Sequence, residues 1–287
     1  MKKLTIINSI RSLRWNRNYV LYSIVFGFSS LALPLGIQFL VNNLALSGIW
    51  QNTVSFLILI AVALVISQIV KHSQVILVEY IQREVFLHEI KKWKTFKHFE
   101  NSHYYFEIIN SLKSFSKSYA SLIEMALVIV FGILTILTFH PVYLFLVLII
   151  VLTFMNIYKK SDKAIKSSIN ESTKKYDIFD EISSGKGIND VSVDSYLEAR
   201  DGHFFFTRKN SYKISILTVC VHLLFLAIGC YLILANQLSV GQLVSAELIL
   251  SGIFSSISKL PQTLESVYDY ETSQYKIHYA LAGNDHE

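Results

Sequence analysis

The sequence reads as an all-α membrane protein, because long apolar runs alternate with polar connections and all its basic charge lies to one side of them. Its 287 residues are 52% hydrophobic and only 16% charged. Six apolar runs, 19–46, 53–70, 119–139, 142–158, 214–234 and 243–260, each approach the roughly 20 residues that a helix needs to cross about 30 Å of hydrocarbon. All 26 Lys and Arg residues fall toward one side, 25 of them outside these runs and Lys259 at the inner end of the sixth. The loops of the other side, 45–52, 139–141 and 235–242, carry none. This is the positive-inside pattern, and it predicts both termini in the cytoplasm.

The net charge of +5 fits the same picture, since basic residues beside spans meet anionic lipid headgroups. It calls for no nucleic acid. The first run is too long for a cleaved secretory signal and reads as a retained span behind a basic segment with Lys2, Lys3, Arg11, Arg14 and Arg17. Cys220 and Cys230 lie ten residues apart on one helix, about 15 Å along its axis, and cannot bridge each other.

The three outer connections are short, so the spans pair into tight hairpins. The two inner ones, 71–118 and 159–213, are long, lack proline and keep helical periodicity. In the first, Ile76, Tyr80 or Ile81, Phe86 or Leu87, Ile90, Trp93 and Phe96 form an apolar stripe suited to a helix packed outside the membrane. Two helical hairpins reaching about 30–40 Å inward are expected. The helical pattern weakens at their tips, 101–110 and 183–200. Three consecutive aromatics, Tyr104, Tyr105 and Phe106, sit poorly in water at the first tip and suit a groove on a partner.

Polar residues inside apolar runs are the other lead, because they are costly in lipid. Glu247, Ser251, Ser255, Ser258 and Gln262 recur at helical spacing on the last run. Ser211, Ser215, Thr218 and His222 do the same on the fifth, and Gln38 and Asn42 form a pair on the first. Such stripes line a pathway or let helices pack closely and hydrogen-bond. Glu247 has no basic residue at i±3 or i±4, so it needs water, a partner helix or a cationic ligand.

Three stretches carry a family resemblance. They are FENSHYYFE at 99–107, EISSGKGINDV at 181–191 with the following 194–200, and LSVGQLVSAELILSGIFSSISKLPQTL at 238–264. With the pattern of six runs and long second and fourth connections, the chain resembles the transmembrane domain of a bacterial ABC exporter, in particular the peptide and toxin exporter branch. Departures are the absence of Gly and Arg from 110–117 and a proline, Pro261, about one turn further inward than the family's pattern. The resemblance implies a single domain over 1–287 in the bacterial cytoplasmic membrane, paired with a second transmembrane subunit, identical or not. It implies that Ser102, His103, Tyr104, Tyr105, Phe106, Asp194, Ser195 and Tyr196 contact an ABC-type ATPase. It further implies export of a peptide or small hydrophobic molecule, with the cargo left open.

No G-x-x-x-x-G-K-[ST] loop occurs, so hydrolysis of ATP with Mg²⁺ is expected on the partner and not on this chain. The LSVGQ at 238–242 looks like an ATPase signature, but it leads into a span, where Ser and Gly suit a helix start and a turn. His88-Glu89 opens a zinc-protease pattern that Lys92 breaks, so no metal is expected. Two other readings stay open: a fragment of a fused exporter, or a scaffold that uses the exporter fold without moving cargo.

Overall fold

The computed structural model describes residues 14–46, 50–93, 102–159, 161–185, 187, 189–267 and 269–270. Among these, every regular element is helical. They are α1 (Arg14–Ser30), α2 (Ala32–Leu46), α3 (Trp50–Trp93), α4 (Ser102–Phe139), a 3-10 turn (Pro141–Tyr143), α5 (Leu144–Lys159), α6 (Ser161–Ser183), α7 (Asp190–Leu234) and α8 (Val240–Ser258). Helix resumes over 260–267.

Five stretches are long and apolar enough to cross a membrane: Asn16–Asn43, Val54–Leu87, Ile109–Phe139, Asp190–Leu234 and Val240–Val267. Pro141–Thr153 is a shorter apolar helix. Large apolar side chains such as Ile58, Leu59, Ile69, Leu148 and Leu223 point outward from these helices, where only lipid or another apolar surface can receive them. The chain is an all-α membrane protein.

Two long helices are broken by proline. Pro34 has no N–H to give the Ser30 carbonyl, and α1 stops at Leu31, whose own N–H turns back to Phe28 at 3.1 Å. The Ser29 and Ser30 hydroxyls bond the Phe26 and Gly27 carbonyls beside the break, at 3.0 and 2.7 Å. Pro261 acts in the same way on α8, which breaks at Lys259 before helix resumes. By contrast α3, α4 and α7 run unbroken for 44, 38 and 45 residues, or about 66, 57 and 68 Å. Each far exceeds a membrane's thickness.

Helix ends that flank the Lys- and Arg-free loops lie together, at what we call the neutral end. Asn42 on α2 accepts a hydrogen bond from the Gly241 N–H on α8 at 3.2 Å. A Cβ at Gly229 of α7 would stand 3.2 Å from the Tyr143 hydroxyl. One core gathers here and runs down the bundle: Tyr143, Leu146 and Ile150 with Val221, Phe225 and Leu232 of α7, and Ile249, Ile253 and Ile257 of α8. Tyr143 and Phe225 stack at 4.5 Å. A second core lies toward the opposite, basic end, where Tyr19, Leu77, Ile81, Leu112, Phe115 and Tyr270 meet. There the Tyr19 hydroxyl bonds the Ala120 carbonyl at 2.9 Å and Gln74 bonds Ser23 at 2.9 Å. Lys71 of α3 pairs with Glu124 of α4 and lies 4.9 Å from the centroid of the Phe26 ring. These polar contacts tie α1, α3 and α4 into one unit.

The expected weakening of helix at the tips is corrected. The backbone is helical from Ser102, and at the second tip the non-helical positions among the described residues are 184, 185, 187 and 189. Residues 190–200, expected as irregular or as a separate short helix, are the first turns of α7.

The first turn of α8 explains the 238–242 sequence. The Ser239 hydroxyl accepts from the Gln242 N–H at 3.1 Å, and the Gln242 side chain accepts from the Ser239 N–H at 2.8 Å, a complete capping box. Gly241 makes no turn there. It allows a close approach, since a Cβ would stand 2.4 Å from Asn42 Oδ1 and 2.6 Å from the Gln38 carbonyl oxygen. Gly241→Ala must push α2 away from α8, and overpacking of this kind costs about 1–3 kcal/mol. A lower melting temperature in detergent is the expected outcome, and an unchanged one refutes the contact.

Candidate functional site

The two polar stripes of α7 and α8 meet at one point. His222 Nδ1 lies 2.6 Å from Glu247 Oε1. Glu247 therefore has a partner helix, one of the three solutions open to it from the sequence. The imidazole also lies against the Phe254 ring, with centroids 5.3 Å apart. The second carboxylate oxygen of Glu247 is buried and makes no hydrogen bond, as is the Tyr143 hydroxyl. Charge-assisted contacts are roughly twice as strong as neutral ones, and a low-dielectric setting strengthens them further. This contact joins α7 to α8 through polar chemistry where the rest of their interface is apolar.

From that point toward the basic end, the polar side chains turn away from the chain's own cores. Ser251, Ser255, Ser258 and Gln262 are exposed, as are Ser211 and Ser215, while Thr218 is half-buried. Several hydroxyls are satisfied within their own helix: Thr218 bonds the Ile214 carbonyl at 2.8 Å, Ser215 that of Ser211 at 3.1 Å, and Ser258 that of Ser255 at 2.9 Å. The result is a polar face on α7 and α8 that no other described part of the chain covers. Gln38 and Asn42 do something different, because both lie at the close approach of α2 to α8.

At the second tip, hydrogen bonds bridge the end of α6 and the start of α7. Glu181, near the end of α6, accepts from the Asn189 N–H at 3.0 Å and from the Ser192 hydroxyl. Asn189 caps α7 by accepting from the Val191 N–H at 3.1 Å. Gly185 and Gly187 take φ values of +67° and +77°, which favour glycine. Around this clamp Ile182, Val191 and Leu197 are 50%, 71% and 49% exposed. Asp194 is exposed and Ser195 half-buried beside them, while the Tyr196 hydroxyl accepts a hydrogen bond from Arg200 at 2.8 Å. The side chains of Ser102, His103, Tyr104, Tyr105 and Phe106 lie outside the described residues.

Sequence reasoning missed a charged junction beyond the apolar stretches. Glu171 of α6 meets His203 of α7 at 2.6 Å and Arg200 at 3.4 Å. The 265–269 segment brings Glu265 and Asp269 to the same place. In sequence these are ordinary helix-surface charges far apart along the chain; only the spacing of Arg200 and His203 on one helix face hints at a shared partner. Although Asp269 keeps an exposed edge, desolvation of its carboxyl, with Glu265 and Glu171 nearby, raises its pKa to about 6, against the opposing effects of His203 and Lys175. Among the described residues no cluster of His, Cys, Asp or Glu could hold a metal.

Two outcomes follow. In a double-mutant cycle of Glu247→Gln with His222→Ala, the melting free energies should show a coupling of about 1 kcal/mol or more; additive losses would mean that the pair contributes nothing. For Asp269, a raised native pKa means that its contribution favours the fold below the unfolded value near 3.8 and is lost as pH rises through about 6. Asp269→Asn should flatten that part of the stability profile and raise the melting temperature at neutral pH. The sequence matches no known protein family and no curated protein.

Proposed function

We propose that this chain is the membrane-spanning subunit of an ATP-driven exporter, which pairs with a second transmembrane subunit and is driven by a separate ABC-type ATPase. In this reading α1–α2, α3, α4, α5, α7 and α8 are six spans in the arrangement of an ABC exporter. The membrane is the bacterial cytoplasmic one, with the basic end and both termini in the cytoplasm, as the charge bias favours.

The observation that carries the reading is the second tip. Helices of about 60–70 Å leave about half their length outside a bilayer of about 30 Å. At the far end of α6 and α7 a clamped turn holds Ile182, Val191 and Leu197 in the open. Apolar side chains on a clamped tip, remote from lipid, suit a groove on a cytoplasmic partner. Such a partner, binding ATP with Mg²⁺, would push or release the tip, and α6 and α7 would carry the displacement as a lever. The uncovered polar face of α7 and α8 supports a pathway shared with a second subunit, since neither side of a lipid-filled gap would favour it.

The test is a mild-detergent pull-down of the tagged chain from its own membranes, with ATP hydrolysis assayed on the eluate. ATPase activity should co-purify, and should fall at least about tenfold with Val191→Asp and with the Tyr104→Ala/Tyr105→Ala double substitution. Recovery of the folded chain without ATPase activity would overturn the separate-ATPase reading in favour of a scaffold or a fragment of a fused exporter.

A further inference from the structure

We propose that the partner received at the second tip presents a basic surface, an apolar groove rimmed by Lys or Arg side chains. Along α6 and α7, charge is sorted by distance from the apolar spans. The flanks 159–176 and 202–213 hold nine Lys and Arg against two Asp and Glu. The tip between them, 177–201, holds seven Asp and Glu against two Lys and Arg. Basic flanks follow from the positive-inside bias. An acidic tip does not, and in a chain of net charge +5 it is a local reversal of sign.

The reversal is concentrated on one exposed stripe. At about 100° per residue, Asp190, Val191, Asp194, Leu197, Glu198 and Asp201 fall within an arc of about 120° on α7. All six are exposed, whereas Ala199 and His203 on the other side of the helix are buried. None of the four carboxylates forms an ion pair among the described residues. Arg200 is committed instead to Glu171 and the Tyr196 hydroxyl. The helix dipole favours Asp190 in the first turn, but its effect fades beyond that turn and does not reach Glu198 or Asp201. Like charges four residues apart, Asp190 with Asp194 and Asp194 with Glu198, work against the helix that carries them. Carboxylates interleaved with Val191 and Leu197 fit an interface whose apolar centre takes the aliphatic side chains and whose rim meets the charges.

Charge also decides among occupants. Anionic lipid and nucleic acid are repelled. The tip stands about 35 Å along α6 from its membrane-side end, several screening lengths from any headgroup. A second copy shares this chain's orientation in the bilayer and brings its own acidic tip to the same height. A separate cytoplasmic protein of opposite sign is the occupant that fits. The proposal deepens the exporter reading, in which that protein is the ATPase, and so rests on it for the partner's identity; the sign of the partner's surface follows from the stripe.

The test uses the tagged full chain in its own membranes, treated with a carbodiimide, which joins a carboxylate to an adjacent lysine amine without a spacer. Amide cross-links from Asp194, Glu198 or Asp201 to one cytoplasmic polypeptide should be found by mass spectrometry, and should fade in about 0.5 M NaCl. Without cross-linking, recovery of that polypeptide should fall about three- to tenfold with Asp194→Asn/Glu198→Gln/Asp201→Asn, and hold with the charge-keeping Asp194→Glu/Glu198→Asp/Asp201→Glu. Both variants are checked for monodispersity. No partner recovered, cross-links only to a second copy of this chain, or full recovery with the neutral variant would overturn the proposal. A salt-sensitive, cross-linked polypeptide without ATPase activity would keep the basic partner and sink the separate-ATPase reading; an ATPase recovered in full with the neutral variant would do the reverse.

Discussion

Inside hydrocarbon a backbone N–H or C=O has no water to bond, and this constraint governs the whole molecule. It forces every apolar stretch into helix and makes each interruption a local problem to be repaired. At Leu31 the repair uses a tightened backbone bond and two serine hydroxyls. Where α7 ends, the Gln237 and Asn236 N–H groups bond back to the Leu232 and Ile233 carbonyls at 2.9 Å each, and Asn236 takes the left-handed φ of 55°. Where α8 begins, the capping box and Asn42 together satisfy three of its first free N–H partners.

With the backbone settled, the packing divides the chain into two parts. Polar contacts among α1, α3 and α4 fasten one part toward the basic end. In the other, α5 to α7 are anchored through the neutral-end core, where α8 also packs, and run outward to the clamped tip. The two parts meet again at the junction of Glu171, His203, Glu265 and Asp269, beside which Ile169, Phe206 and Leu264 pack.

The apolar runs and the length of the helices were legible because hydrophobicity and helical period are local properties. The start of α7 was not. The residues Ser183, Ser184, Gly185, Gly187 and Asp190 look like a loop, and the clamp by Glu181 that ends the loop at Asn189 is made across a gap of eight residues. Glu247 and His222 each stood out as polar residues in apolar surroundings, but their pairing did not. Measured from the turn between α7 and α8, His222 lies about 20 Å along its helix and Glu247 about 12 Å along its own, so matching by depth would have joined other residues. The charged junction was invisible for a simpler reason: Glu171, Arg200 and Glu265 come from separate helices and resemble any solvated helix surface.

One consequence lies in the hydroxyls of α7 and α8. Ser215, Thr218, Ser256 and Ser258 each bond a carbonyl three or four residues back on their own helix. They make the surface polar in composition while committing its donors inward. A helix packed against these four positions would meet donors already committed, with no hydrogen bond to break in moving past them.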